Sequence, residues 1–387
     1  MNKVIYLDNA ATTRVSEEVV NAMIPYYTEC YGNPSAVYTF AGEAKKAVTI
    51  ARESIAKVIN ARPDEIYFTG GGSESDNWVL KAVIDKYGDA KGKHIITTSI
   101  EHHAILHTCE YLEKKGCSVT YVDVDEDGVV KLDELKAAIR PETVLISVMT
   151  ANNEVGTIQP IEEIGKIAKE NNILFHTDAV QAFGHIDIDV KKLNIDFLSA
   201  SAHKINGPKG IGFMYIERSI KIGSFIHGGA QERQRRAGTL NVPAIVGFGK
   251  AAELAMANME KNAKYETELR NHLVERILNE IPYSKFNGST KNRLPNNANF
   301  SFKYVEGESM LILLDQKGIC SSSGSACTSG SIDPSHVLTA MGIPDELAHG
   351  SIRLTLSCLN TLEEIDYTVD ELKKIIERLR EMSPLYK

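Results

Sequence analysis

The chain has no apolar run approaching the roughly 18–20 residues of a membrane-spanning helix. Its opening, MNKVIYLDNAATT, lacks the apolar core of a signal peptide and begins directly with strand-like sequence. The six cysteines (Cys30, Cys109, Cys117, Cys320, Cys327 and Cys358) are scattered through 387 residues, and no C-x-x-C pair or His-rich zinc spacing is present. That argues against a disulfide framework and for a reducing, cytoplasmic setting. An excess of positive charge is also missing: 43 basic against 51 acidic residues give −8, so broad capture of nucleic acid or anionic lipid is not expected. With 28 glycines and 12 prolines, the chain is neither collagenous nor low in complexity. Neither a G-x-G-x-x-G nor a Walker A loop occurs.

What is present is an alternation. Short apolar runs, EIYFT at 65–69, HIITT at 94–98, VTYVDV at 119–124, VLISVM at 144–149 and ILFHT at 173–177, are separated by stretches with helical spacing. Phe197–Ser201 and Gly212–Ile216 look like two more strands, and residues 55–60 like a helix. Such runs predict an α/β fold with a mostly parallel sheet covered on both faces. Near Val242 the pattern changes to one long helical stretch reaching about Ile281, then short strands and a closing helix over Leu362–Arg380. This last third reads as a smaller α+β domain. At 387 residues, two domains are expected.

Several polar residues sit where strands end, the edge at which open α/β sheets bind ligands. Lys204 follows the strand ending at Ser201 and precedes the turn Gly207–Gly210. A desolvated lysine there suits Schiff-base chemistry, and a surface lysine is the bland alternative. Asp178 ends ILFHT, as a helix cap or as counter-ion to a buried cation. A Lys with an Asp partner to a pyridinium nitrogen is the form of a pyridoxal-phosphate (PLP) site. Thr69–Asn77 (TGGGSESDN) joins a strand to a helix, giving either an anion site at a helix N-terminus or a plain cap at Ser73 or Ser75. The segment Ser321–Ser331 (SSSGSACTSGS) is small and polar, which predicts an exposed, mobile loop. Cys327 within it has the setting of a working thiol, whereas Cys320 reads as a buried strand residue. Glu101-His102-His103 and Asn152-Asn153 also follow strands, and one of the two histidines is expected to be structural. Arg353 lies inside the apolar run SIRLTLS, so it needs a carboxylate from the protein or from a substrate.

Taken in order, YLDNAATT (6–13), GNPSA (32–36), TGGGSESDN (69–77), EHHA (101–104), NNEVG (152–156), HTDAVQ (176–181), SAHKINGPKGIG (201–212), HGGAQERQRRAGTLN (227–241), SSSGSACTSGS (321–331) and SIRLTLS (351–357) resemble a cysteine desulfurase of the class-V aminotransferase-like, PLP-dependent group with the longer active-site loop. They span nearly the whole chain. The resemblance implies PLP-dependent transferase fold type I, with a large PLP-binding domain at 16–255 and a small domain at 1–15 and 256–387 that carries the Cys loop (about 320–333). It implies that Lys204 binds PLP covalently, that Asp178 pairs with the ring nitrogen, and that Gln181 and Asn153 bond the ring. His102 would stack on the ring and help to move protons. Gly72, Ser73, Ser201 and His203 would hold the phosphate, with Thr239 reaching the phosphate of a neighbouring subunit in a homodimer. Arg353, with Asn33, would clamp the carboxylate of L-cysteine. Cys327 would take the sulfur as a persulfide and pass it to an iron–sulfur scaffold or another acceptor protein, for iron–sulfur cluster assembly or tRNA thiolation. The same Cys327 would be a transient iron–sulfur ligand on such a scaffold. A selenocysteine lyase or aminotransferase, and a PLP-binding docking scaffold without turnover, are the alternative readings.

Overall fold

The computed structural model describes residues 4–323, 334–384 and 386. Among the described residues twelve strands form three sheets: β1 (Ile5–Tyr6), β2 (Ile66–Thr69), β3 (His94–Thr98), β4 (Ser118–Val122), β5 (Thr143–Ser147), β6 (Leu174–Asp178), β7 (Phe197–Ser201), β8 (Gly212–Ile216), β9 (Ser284–Asn287), β10 (Asn297–Phe302), β11 (Ile319–Cys320) and β12 (Ser351–Thr355). The large sheet has seven strands in the order β2-β8-β7-β6-β5-β3-β4. Strands β4, β3, β5, β6 and β7 run parallel, while β8 is antiparallel to both of its neighbours. The mostly parallel sheet expected from the apolar runs is therefore present, with one reversed strand. Residues of β2, β3, β5, β7 and β8 are buried throughout, which is why these segments read as continuous apolar runs rather than alternations.

Several helices start where the chain supplies a side-chain cap. Ser16 accepts from Val19 N, Asn241 from Ala244 N, and Thr361 with Glu364 forms a capping box before the helix Leu362–Met382. The helix expected at 55–60 is the last turn of a longer one, Gly42–Val58. The helix after the glycine run begins at Gly72 with Gly71 as its N-cap and no side-chain cap, so neither Ser73 nor Ser75 caps it. Ser75 instead turns inward to the Phe213 carbonyl, 3.1 Å away.

The small sheet, β12-β10-β9, is antiparallel, and β1 pairs in parallel with β11. Cys320 therefore lies in a strand as expected, though half-buried rather than buried. Ile5 and Leu7 pack with Phe300, Leu354 and Leu372 into a core separate from that of the large sheet. The helix Val242–Glu280 serves both: its first third packs on the large-sheet core and Leu269, Leu273 and Ile277 on the small one. Among the described residues no helix is long and apolar enough to cross a membrane.

Candidate active site

The carboxyl ends of the parallel strands bring the sequence-predicted polar residues together. Asp178 is the last residue of β6, Ser201 the last of β7, and Lys204 closes the short 3-10 turn after it. Asp178 is 6% exposed, and one of its carboxylate oxygens accepts from Val180 N at 2.8 Å. Burial pushes its pKa up to about 6, against the opposing pull of that backbone donor and of Lys204. Three residues on, Gln181 Nε2 donates to the Ala10 carbonyl at 3.0 Å. Lys204 Nζ donates to the same carbonyl and to that of Ala11 at 2.9 Å. The N-terminal stretch after β1 thus lies across the site and holds both side chains.

The helix beginning at Gly72 points its N-terminus at this cluster. A Cβ at position 72 would lie 2.5 Å from Val180 Cγ2 and 4.0 Å from Ser201 Cβ, so only glycine lets the helix end approach so closely. A Cβ at Gly212 would likewise meet the Gly71 backbone at 2.7 Å. The unpaired N–H groups of that first turn, with exposed Ser73 and buried Ser201 beside them, make a place for an anion. His203 stands next to it, its Nδ1 3.1 Å from Thr12 Oγ1, and burial with Lys204 and Lys209 nearby drives its pKa down to about 4.

His102 is the N-cap of the helix His103–Glu113, and its Nδ1 accepts from Ala104 N at 3.1 Å. That bond places the proton of the neutral ring on Nε2. Burial first, then Lys204, pushes its pKa down to about 4, so the ring is neutral at pH 7. Its neighbour Glu101 is fully buried, with one oxygen taking Thr98 Oγ1 at 2.7 Å and Met149 N at 3.0 Å. Burial raises its pKa to about 8. Within β6, His176 bonds Ser147 of β5 and Ser199 of β7 on either side and lies 3.7 Å from Asp76.

Arg353, in β12, is 3% exposed. The carboxylate expected for it comes from the protein: Asp8 Oδ1 lies 2.8 Å from Nη2, and Nη1 donates to the Asn153 carbonyl at 3.0 Å. Asn153 is buried beside it. Two expected members stand apart. Asn33 is exposed and spends its side-chain oxygen on Ser35 N, 3.0 Å away, and Thr239 is exposed near Arg236, which pairs with Glu74 at 2.9 Å. Cys327 lies outside the described residues. Among the described residues no group of three or more His, Cys, Asp or Glu side chains is arranged to hold a metal.

Asp8, Ala10 and Ala11 are participants that the residue pattern alone did not single out. Their signal was a polar, alanine-rich LDNAATT directly after a strand, but backbone carbonyls carry no side-chain signature.

A sheet of this order with a lysine and an aspartate at adjacent strand ends defines a class of transferase-like α/β proteins. The aminotransferase class-V family model matches residues 5–368, and the chain belongs to that family. It is 57% identical to the cysteine desulfurase IscS of Methanosarcina thermophila over 99% of this chain and 95% of the relative. It is 56% identical to cysteine desulfurase IscS of Clostridium botulinum over 100% and 98%. Among solved structures, a NifS-like protein superposes with a TM-score of 0.92 at 42% identity, covering 97% of this chain and 100% of that one. A structure described as SspA in complex with cysteine gives 0.80 at 40% identity, covering 91% and 98%.

Proposed function

We infer that the chain is a cysteine desulfurase: it converts L-cysteine to L-alanine and leaves the sulfur as a persulfide on Cys327. The observation that carries this reading is the convergence of Lys204, Asp178 and the neutral ring of His102 beside the helix N-terminus at Gly72, in a chain matched end to end by cysteine desulfurases.

The residues fit PLP. Asp178 is a buried carboxyl whose ionisation burial opposes, so a cationic ring nitrogen beside it would favour its charged form. The close approach that Gly72 permits leaves first-turn N–H groups, Ser73, Ser201 and His203 for the phosphate. Gln181 and Asn153 would bond the ring, and His102 would offer it a stacking face. PLP, when bound, supplies the electron sink for a carbanion at Cα.

The chain's own groups do the rest. Arg353 takes the substrate carboxylate, assisted by Asn33. The Lys204 amine removes the Cα proton, and its hold on two backbone carbonyls keeps it aimed. His102 carries its proton on Nε2 and exchanges it near the reacting thiol. The Cys327 thiolate attacks the substrate sulfur; the substrate C–S bond breaks with its electron pair left on carbon, which is protonated to give alanine.

Further parts of the reading follow. Val20, Ile24, Tyr27, Tyr31 and Val37 are all exposed within one short stretch, which supports a homodimer that covers them and brings Thr239 to the partner's phosphate. The two separate apolar cores support a large PLP-binding domain at 16–255 and a small one at 1–15 and 256–387. A cytoplasmic acceptor, an iron–sulfur scaffold with Cys327 as transient cluster ligand or a tRNA-thiolation protein, receives the sulfur.

The test is a single turnover with L-cysteine in the absence of reductant. One alanine per protomer, with about +32 Da (one sulfur) on the peptide holding Cys327, is expected. Cys327→Ala should form neither. Equal turnover in that variant would move the protein to a lyase or aminotransferase reading.

A further inference from the structure

The ring of His102 hangs from a strap whose carbonyls are each tied by a side chain from elsewhere. Asn152 Nδ2 donates to the Ile100 carbonyl at 2.9 Å, and His336 Nε2 to the Glu101 carbonyl at 3.0 Å. Ile100 and Glu101 are fully buried, so these carbonyls need protein donors. The Glu101 carboxyl is itself pinned by Thr98 and Met149. The peptide joining Glu101 to His102 is thus gripped on one side by the carboxyl of its first residue and on the other by His336.

His336 is in turn well placed. It opens the helix His336–Ala340 directly after Ser335, whose hydroxyl caps that helix at Leu338 N and donates to buried Glu154. Its ring lies 4.8 Å from that of His103, which stacks on His107 at 4.8 Å and 22°. A carbonyl oxygen only accepts, so Nε2 of His336 carries hydrogen; the bond exists in the neutral Nε2–H tautomer and in the cation alike.

We propose that His336 is a positioning residue for His102: its bond to the Glu101 carbonyl sets the peptide plane from which the His102 ring projects, and the stacked His103 ring sets His336. The inference rests on the reading of His102 as the ring that faces the cofactor. It assigns a function to a histidine for which neither the motifs nor the mechanism above has a use.

Two substitutions separate the donor from the ring. H336F keeps an aromatic ring and loses the donor; H336Q loses the ring and keeps a nitrogen donor near the position of Nε2. With the holoenzyme and L-cysteine, kcat in H336F should fall about tenfold, the scale of one neutral hydrogen bond, with KM nearly unchanged. H336Q should recover most of it. The second readout needs no turnover: in apoprotein carrying 15N-histidine, the ring signal of His102, assigned with H102N, should shift in H336F and return in H336Q. Unchanged His102 signals and kcat in H336F, or H336Q behaving like H336F, would overturn the proposal. If H336F does not fold, H336M replaces it. Failure of both to fold beside a normal H336Q would make the bond structural and overturn it too. Absence of alanine from the wild-type enzyme would sink the desulfurase reading while the apoprotein signals still decide this one.

Discussion

Arg293 and Arg353 are both buried beside the small β12-β10-β9 sheet, one at its hairpin end and one in its edge strand, and they are satisfied differently. Among the described residues Arg293 pairs with no carboxylate. It donates to the carbonyls of Asn297 at 3.1 Å, Ser289 at 2.7 Å, Val155 at 2.5 Å and Asn287 at 2.6 Å, with its guanidinium 4.0 Å above the Phe286 ring. Burial holds its pKa down to about 9. Arg353 has one carboxylate, Asp8, one carbonyl, Asn153, and a buried Nε with no partner among the described residues. A guanidinium has five N–H donors in a fixed fork. Arg293 has spent four of them on backbone and staples the segment at Val155 to the β9–β10 hairpin. Arg353 keeps donor capacity, as the proposed binding of a substrate carboxylate requires, and its anionic partner among the described residues is Asp8. Nearly full use of the donors suits a structural role, and spare capacity suits a binding one.

The most severe way to break this comparison is at Arg293. R293M leaves four buried carbonyls without their donor and should cost about 3–5 kcal/mol of stability in urea unfolding, the range for breaking a buried charged network, with KM unaltered in whatever folds. R353M should do the reverse. It leaves Asp8 unpaired, but that carboxylate still reaches solvent, so the unfolding midpoint should drop by less than in R293M while kcat/KM for L-cysteine falls about 10- to 100-fold, as expected for losing hydrogen bonds to a charged group. A large stability loss with an unchanged KM would make Arg353 a second staple.

A smaller effect sharpens the same distinction for carboxyls. Burial pushes Glu101 and Glu266 up to about 8 and Glu154 to about 7. In the unfolded chain a glutamate ionises near pH 4.3, so between there and pH 8 the folded chain holds protons the unfolded chain has released. Stability therefore falls as pH rises through this window. His94, His102 and His203, pushed down to about 4, work in the opposite sense, adding stability as pH rises from about 4 to 6.5 and nothing above it. From about pH 6.5 to 8 the carboxyl slope prevails, at most about 1.4 kcal/mol per pH unit for each group. The apoprotein's urea midpoint should drop over that interval, and E266Q should flatten the drop. A midpoint that climbs from pH 6.5 to 8 would show these carboxyls to be ionised in the folded chain. The smallest effect belongs to Asn33, whose side chain serves its own turn. N33A should change KM less than about threefold, in keeping with an exposed position.

Much of the scaffold was legible because it is written locally. ILFHT ends in Asp178 because a buried parallel strand needs an unbroken apolar run, and the polar residue that stops it falls at the carboxyl edge. Lys204 and Ser201 follow from the same rule at β7. The reversal of β8 was not legible, since a five-residue apolar strand has the same pattern in either direction. The capping role weighed for Ser73 and Ser75 failed for a related reason. Serine near a helix start is a local signal, but the close packing of Gly71 on Gly212 and of Gly72 on Val180 decided which residue sits at the end.

The sequence by itself determined the element order, the apolar cores and the set of polar residues at strand ends, together with the family. Periodicity and motif spacing are properties of neighbouring residues, so one dimension suffices to read them. Only the tertiary structure decided the partners: Lys204 on the carbonyls of Ala10 and Ala11, Arg353 on Asp8, and His336 on the Glu101 carbonyl. Each joins residues nearly two hundred positions or more apart, and three of the four acceptors are backbone atoms. Every residue carries such a carbonyl, so no pattern of side chains distinguishes the one that folding leaves in reach.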